Sequence, residues 1–126
     1  MKPQILIVDD EESIRYTLSF FLSEAGCRVT CAADYDESMS LIRETEFDLV
    51  FLDIVLEGKS GIDLLKSIRE IRPNMPVIVI TGVPTSETAV ESLRYGALEY
   101  IIKPIRQENL LRSAALALKH KALVDE

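Results

Sequence analysis

The run Ile5-Leu6-Ile7-Val8-Asp9-Asp10 is four apolar residues closed by two carboxylates. Apolar side chains on both faces of an extended segment suit a parallel strand covered by helices on each side, since a half-solvated strand would alternate. Four more such runs follow: Cys27-Arg28-Val29-Thr30-Cys31, Leu49-Val50-Phe51-Leu52, Val77-Ile78-Val79-Ile80 and Glu99-Tyr100-Ile101-Ile102. The second and fifth are less uniformly apolar, as edge strands would be. Between the runs the apolar spacing turns helical. Ile14, Leu18, Phe21 and Leu22 form one stripe, which should stop at Gly26, a left-handed cap residue. A second helix is expected from Asp34, with Glu37 completing a capping box and Met39 and Ile42 facing inward. A third starts at Ser60-x-x-Asp63, carries Leu64, Leu65 and Ile68, and ends before Pro73, because a residue preceding proline avoids the helical region. A fourth covers residues 85–95 and stops at Gly96. The last runs from Arg106 towards His120, with Leu110, Leu111, Ala114, Ala117 and Leu118 on its inner side. Five alternations with short connections predict an α/β fold, a doubly wound five-stranded parallel sheet with helices on both faces.

Length and charge narrow the function. At 126 residues, against about 150 for a typical domain, the sequence predicts one domain over residues 1–126. Lys and Arg total 14 against 21 Asp and Glu, a net charge of −7, which argues against direct nucleic-acid binding because that needs a positive field. The longest apolar runs fall far short of the ~20 residues that cross a bilayer, and Met1-Lys2-Pro3-Gln4 leads into a strand with no signal-peptide segment. A cytoplasmic, membrane-free protein is expected. Cys27 and Cys31 would lie ~13 Å apart along a strand, too far for a disulfide. They read as packing thiols, with no His or Cys cluster beside them to hold a metal.

In an open parallel sheet, ligands collect beyond the carboxyl ends of the strands. There this sequence places Asp9-Asp10-Glu11-Glu12, Asp53, Thr81-Gly82 and Lys103-Pro104. Two carboxylates about 4 Å apart repel by ~4 kcal/mol at an effective dielectric of ~20, so Asp9, Asp10 and Asp53 need neutralisation. Lys103 offsets one charge, and a hard divalent cation such as Mg²⁺ suits the remaining oxygens. With Thr81 and Lys103 as donors, the rim reads as a cradle for a phosphoryl group. Asp53 then stands at its centre as the nucleophile of an aspartyl phosphate.

With these residues in hand, the sequence resembles the receiver domain of bacterial two-component response regulators over nearly its full length. The matching pieces are Ile5-Leu6-Ile7-Val8-Asp9-Asp10-Glu11, Asp48-Leu49-Val50-Phe51-Leu52-Asp53, Val79-Ile80-Thr81-Gly82 and the segment from Gly96 to Pro104. The fold expected is flavodoxin-like, with strand order 2-1-3-4-5. The resemblance implies that Asp53 accepts a phosphoryl group from a sensor histidine kinase or phosphotransfer protein. It implies that Asp9 or Asp10, or both, bind Mg²⁺ directly or through water, with the Val55 carbonyl as a further ligand. Thr81 and Lys103 would contact the phosphoryl oxygens, Tyr100 would swing inward as Thr81 moves, and the Lys103–Pro104 bond would be cis. The fourth helix, fifth strand and fifth helix would form the output face, which on phosphorylation joins a homodimer or an output domain beyond the C-terminus. The protein would be a signalling switch, catalysing only its own phosphotransfer and dephosphorylation. The segment after Pro104 resembles receivers attached to ATPase-type transcription activators. The last helix, running on to Val124-Asp125-Glu126 without a stop, favours a longer regulator over a free-standing relay.

Two positions depart from the family pattern. Leu56 and Glu57 stand where receivers often carry Met-Pro, which predicts altered kinase recognition or loop mobility with the acceptor chemistry kept; Gly61 still matches. Val55 is apolar where some relatives are polar, which predicts a longer-lived phosphoryl group. Two rival readings share parts of this pattern. A Mg²⁺-dependent aspartate phosphatase would want an acid at position 55 and a cap domain, and a flavin carrier would want a hydroxyl- and glycine-rich loop where Asp9 to Glu12 stand. His120, near a helix C-terminus, reads as a complement to the helix dipole. Tyr16, Tyr35 and Tyr95 read as packing or surface residues.

Overall fold

Every residue of the third and fourth strands is buried, whereas the second and fifth are only partly covered, which identifies the sheet's centre and its edges. The computed structural model describes residues 2–124, Val124 by its backbone alone. In it, strands β1 (Gln4–Val8), β2 (Arg28–Ala32), β3 (Leu49–Asp53), β4 (Val77–Thr81) and β5 (Glu99–Ile102) pair in parallel in the order β2-β1-β3-β4-β5. Helices α1 (Glu12–Glu24), α2 (Tyr35–Glu44), α3 (Gly61–Ile71), α4 (Ser86–Arg94) and α5 (Gln107–Val124) make the crossovers.

Alternation along the strands sends side chains into two cores. Leu6, Val8, Val50, Leu52, Val77 and Val79 meet Met39 and Ile42 of α2 and Leu64, Leu65 and Ile68 of α3 on one face. Ile5, Ile7, Leu49, Phe51, Ile78 and Ile80 meet Leu18 and Leu22 of α1 and Leu110, Ala114 and Ala117 of α5 on the other. Burying a side chain of this size contributes roughly 1.5–3 kcal/mol, so the central strands are pinned from both sides. Their carboxyl ends inherit that rigidity.

Local signals set the helix ends. Gly26 (φ 96°) and Gly96 (φ 79°) take the left-handed conformation that a residue without Cβ adopts cheaply. Past them, the N–H groups of Cys27 and Ala97 donate back to the carbonyls of Leu22 and Ser92 at 3.0 and 2.9 Å, a Schellman closure. That bond moves the second strand one residue later than its apolar run suggested. Cys27 is occupied by the cap, and the ladder begins where Arg28 N–H donates to Pro3 O at 2.8 Å. The Asp34 side chain accepts from Glu37 N–H at 2.9 Å, while Glu37 Oε1 accepts from Ala33 N–H, one residue before the cap. The fourth and fifth helices each begin one residue later than read, with Thr85 Oγ1 accepting from Thr88 N–H at 3.0 Å as the N-cap of α4. The expected continuation through Asp125 and Glu126 lies outside the described residues. Cys27 and Cys31 are free, partly buried thiols.

Candidate phosphoacceptor site

Three strand ends use one local device. Asp9 Oδ1 accepts from Glu11 N–H at 2.9 Å, Asp53 Oδ1 from Val55 N–H at 2.9 Å, and Thr81 Oγ1 from Val83 N–H at 3.0 Å. Each is a side chain at position i capping the amide at i+2, the Asx- or ST-type turn that short polar side chains favour. The turn ends the strand and fixes the polar head in one step. Sheet register supplies the rest: Ile54 N–H donates to Ile80 O at 3.2 Å, and Lys103 N–H to Thr81 O at 2.8 Å. The ends of β3, β4 and β5 are thereby joined side by side.

Asp9, Asp53 and Thr81 are buried, and Asp10 is exposed at the rim. One oxygen from each of Asp9, Asp10 and Asp53 lies within 4.8 Å of the others. Lys103 Nζ reaches across them, 2.9 Å from Asp9 Oδ2, 2.9 Å from Asp53 Oδ2 and 3.8 Å from Glu11 Oε1. The contact with Asp53 is a hydrogen bond. The contact with Asp9 is an ion pair without hydrogen-bond alignment, so the buried Oδ2 of Asp9 has no hydrogen-bond partner among the described residues. Burial pushes the Asp53 carboxyl above its ordinary pKa, and the Asp9 charge adds to this; the hydrogen bonds from Lys103 and from Val55 N–H pull the other way without cancelling it. For Lys103 burial disfavours the ammonium, yet the Asp53 and Asp9 carboxylates outweigh it and raise the pKa. Asp9, Asp10 and Asp53 against one ammonium leave a residual charge of −2, and the buried Oδ2 of Asp9 has the Lys103 ion pair but no hydrogen bond. The residues present fit a hard divalent cation that takes oxygen ligands.

The loop beyond Asp53 is held closely. Gly61 N–H donates to Ile54 O at 3.0 Å, and Val55 pairs with Ser60. A Cβ at Gly61 would collide with Ile54 Cα and come within 2.5 Å of Asp53 O. Only glycine lets the start of α3 come this close to the acceptor strand. The Lys103–Pro104 bond is cis.

Tyr100 does not direct its hydroxyl to Thr81. It bonds Thr88 Oγ1 at 2.7 Å and accepts from Thr85 N–H at 3.3 Å, both at the start of α4. His120 is exposed and lines a cleft with Arg69, Arg94 and Tyr95, apart from the acidic cluster. Two participants were not singled out in the sequence: Glu11, the outer carboxylate near Lys103, and Arg15, whose Nη1 donates to Asp9 O at 2.7 Å. Glu11 stood in the acidic run. Arg15 bonds only a backbone oxygen, which leaves no side-chain pattern to read.

A family model described as the response regulator receiver domain matches residues 5–115. The transcriptional regulatory protein ZraR of Escherichia coli O157:H7 is 38% identical over 121 residues, covering 96% of this chain and 27% of that protein. Among solved structures, a CheY-like response regulator receiver domain protein from Methanospirillum hungatei JF-1 superposes with a TM-score of 0.94 at 34% identity, covering 97% of this chain and 98% of that one. NtrX from Brucella abortus superposes with a TM-score of 0.92 at 38% identity, covering 99% of this chain and 29% of that one. The chain spans about a quarter of the length of the curated relatives it matches.

Proposed function

This chain belongs to the response regulator receiver family, and from that premise we propose that Asp53 is its phosphoacceptor. The observation that carries the reading is Lys103 Nζ held 2.9 Å from both Asp9 and Asp53, with Asp10 completing the carboxylate cluster. Transfer from a kinase phosphohistidine forms a bond between an Asp53 carboxylate oxygen and phosphorus as the P–N bond breaks. The P–N electron pair leaves with the imidazole, which departs neutral when its ring carries one proton. A Mg²⁺ held by Asp9, Asp10, Asp53 and the Val55 carbonyl, directly or through water, would supply charge neutralisation at the phosphoryl oxygens. Lys103 gives the same oxygens a donor, and Thr81 gives a hydroxyl. Catalysis here is positioning and charge stabilisation, confined to the domain's own phosphotransfer and dephosphorylation.

The added phosphoryl brings about −1.5 to −2 charges. In our reading Thr81 turns towards it, Tyr100 leaves Thr88 and moves inward, and the surface of α4, β5 and α5 changes. Val90 and Leu93 of α4, Ile102 of β5 and Leu116 of α5 already present apolar area there. That surface would join two copies or an output domain. Relatives named as transcriptional regulatory proteins support a role in a longer cytoplasmic regulator of transcription, whose nucleic-acid contacts lie outside residues 1–126. Among the described residues no helix is long and apolar enough to cross a membrane.

The test is intact mass after incubation with acetyl phosphate and Mg²⁺. Wild type should gain one phosphoryl group; Asp53→Ala, or wild type in EDTA, should gain none. Labelling that survives either change overturns the assignment.

A further inference from the structure

We propose that Lys59, seated on the ring of Tyr35, is a positioning residue that holds the loop after Asp53 in its metal-binding shape; this rests on the reading of Asp53, Val55 and the cation above. The loop from Val55 to Ser60 is anchored at its base by Gly61 N–H on Ile54 O and by the Val55–Ser60 pair. Its tip, Glu57-Gly58-Lys59, is exposed. Gly58 turns there at φ 87° with nothing within 4 Å of where a Cβ would sit, so that point of the tip faces open space. What returns the tip to the body is Lys59, with Nζ 4.2 Å from the centroid of the Tyr35 ring.

The seat is rigid. Tyr35 opens α2 beside the N-cap Asp34, its ring packs against the core, and its hydroxyl bonds Ser67 Oγ of α3 at 2.6 Å. An ammonium over an aromatic face is attracted by the ring quadrupole. The contact therefore ties the loop that carries Val55 to the α2–α3 layer. Val55 N–H caps Asp53, and its carbonyl is the proposed further ligand. A loose tip would have to be ordered each time the cation binds, and that entropy would appear as weaker affinity.

Mg²⁺ is titrated into the full chain, followed by the amide resonances of Val55 and Gly58, with hydrogen exchange measured at the same amides. Lys59→Gln and Tyr35→Leu should each raise the Mg²⁺ dissociation constant about two- to fivefold, the span expected for an exposed cation–π contact, and should speed exchange at Gly58. Lys59→Arg, which keeps the cation, should bind as wild type does, and Tyr35→Phe, which keeps the ring but drops the Ser67 bond, should lose less than Tyr35→Leu. The Lys59→Gln, Tyr35→Leu pair should lose no more than one single change. Unchanged affinity in Lys59→Gln, losses that add in the pair, or equal losses in Tyr35→Phe and Tyr35→Leu would overturn the proposal. Lys59 is exposed, so Lys59→Gln keeps the test open if Tyr35→Leu fails to fold. Should wild type bind no Mg²⁺ and take no phosphoryl group, the reading of the site falls. Should it do both while Lys59→Gln matches it, the latch alone falls.

Discussion

Lys103 and Arg69 are both partly buried cations, at opposite ends of the sheet, and they differ in what they hold. Lys103, past the carboxyl end of β5, sits between the carboxylates of Asp9 and Asp53. Arg69, on α3 near the amino ends of β4 and β5, donates to backbone carbonyls: Nε to Tyr95 at 2.7 Å, Nη1 to Met75 at 2.5 Å and Nη2 to Gly96 at 3.0 Å. Roughly 15 Å separates the two ends, five residues at the strand rise. Burial lowers the Arg69 pKa, whereas the carboxylates raise that of Lys103. Neutral carbonyls satisfy a guanidinium and carry no net charge of their own, so that end is a staple. At the other end charges outnumber their partners, and the imbalance is what a cation and a phosphoryl group can exploit.

The largest effect should come from removing Lys103. Breaking a buried ion pair leaves its partner charge uncompensated and costs about 3–5 kcal/mol, so Lys103→Ala should lose about 3 kcal/mol in urea unfolding with EDTA present. Much of the loss should return with saturating Mg²⁺, since a ligand that binds only the folded state stabilises it. Arg69→Ala should cost about 2 kcal/mol by stranding carbonyls that bonded a charged donor. That loss should be the same with and without Mg²⁺, and Asp53 labelling should persist. If Mg²⁺ repaired both variants equally, the contrast between the two ends would be wrong.

A smaller effect of opposite sign should appear at Asp53. A carboxyl whose folded pKa lies above its ordinary 3.8 binds its proton more tightly in the folded state. Its stabilising contribution is therefore complete below the ordinary value and is lost as pH rises through the folded one. In EDTA the wild type should lose stability across that window, and Asp53→Asn should lack the step. At pH 7 without metal, Asp53→Asn should be the more stable of the two, because it carries no charge into the buried site. Chemical denaturation at several pH values reads this directly. A wild type that gains stability over the same window would reverse the sign assigned to Asp53.

How much of this was legible follows from which partners carry a side-chain signature. Four of the five strands were readable because the apolar run stops at a polar residue, and Asp9, Asp53 and Thr81 are the i positions of the turns that stop three of them. The helix ends at Gly26 and Gly96 were readable because a positive φ favours glycine. The Arg69 staple was not, because its partners are carbonyls, and every residue has one. The direction of Tyr100 was not, because Thr85 and Thr88 read equally well as helix-capping residues. The seat of Lys59 joins the loop before α3 to the first residue of α2, 24 residues away, a separation over which no periodicity carries information.

The smallest expected effect on stability separates the fold from the chemistry most sharply. Val55 lies two residues past Asp53 and is 48% exposed, so Val55→Asn should change unfolding free energy by less than about 0.5 kcal/mol. Its backbone N–H, which caps Asp53, remains in place. An apolar side chain beside the acceptor offers no hydrogen bond to an approaching water, whereas a carboxamide offers both a donor and an acceptor. The phosphorylated variant should therefore lose its label several-fold faster than wild type at saturating Mg²⁺, followed by intact mass after acetyl phosphate is removed. An unchanged decay would mean that water reaches the phosphoryl group without passing Val55, and that the lifetime is governed by Lys103 and the cation alone.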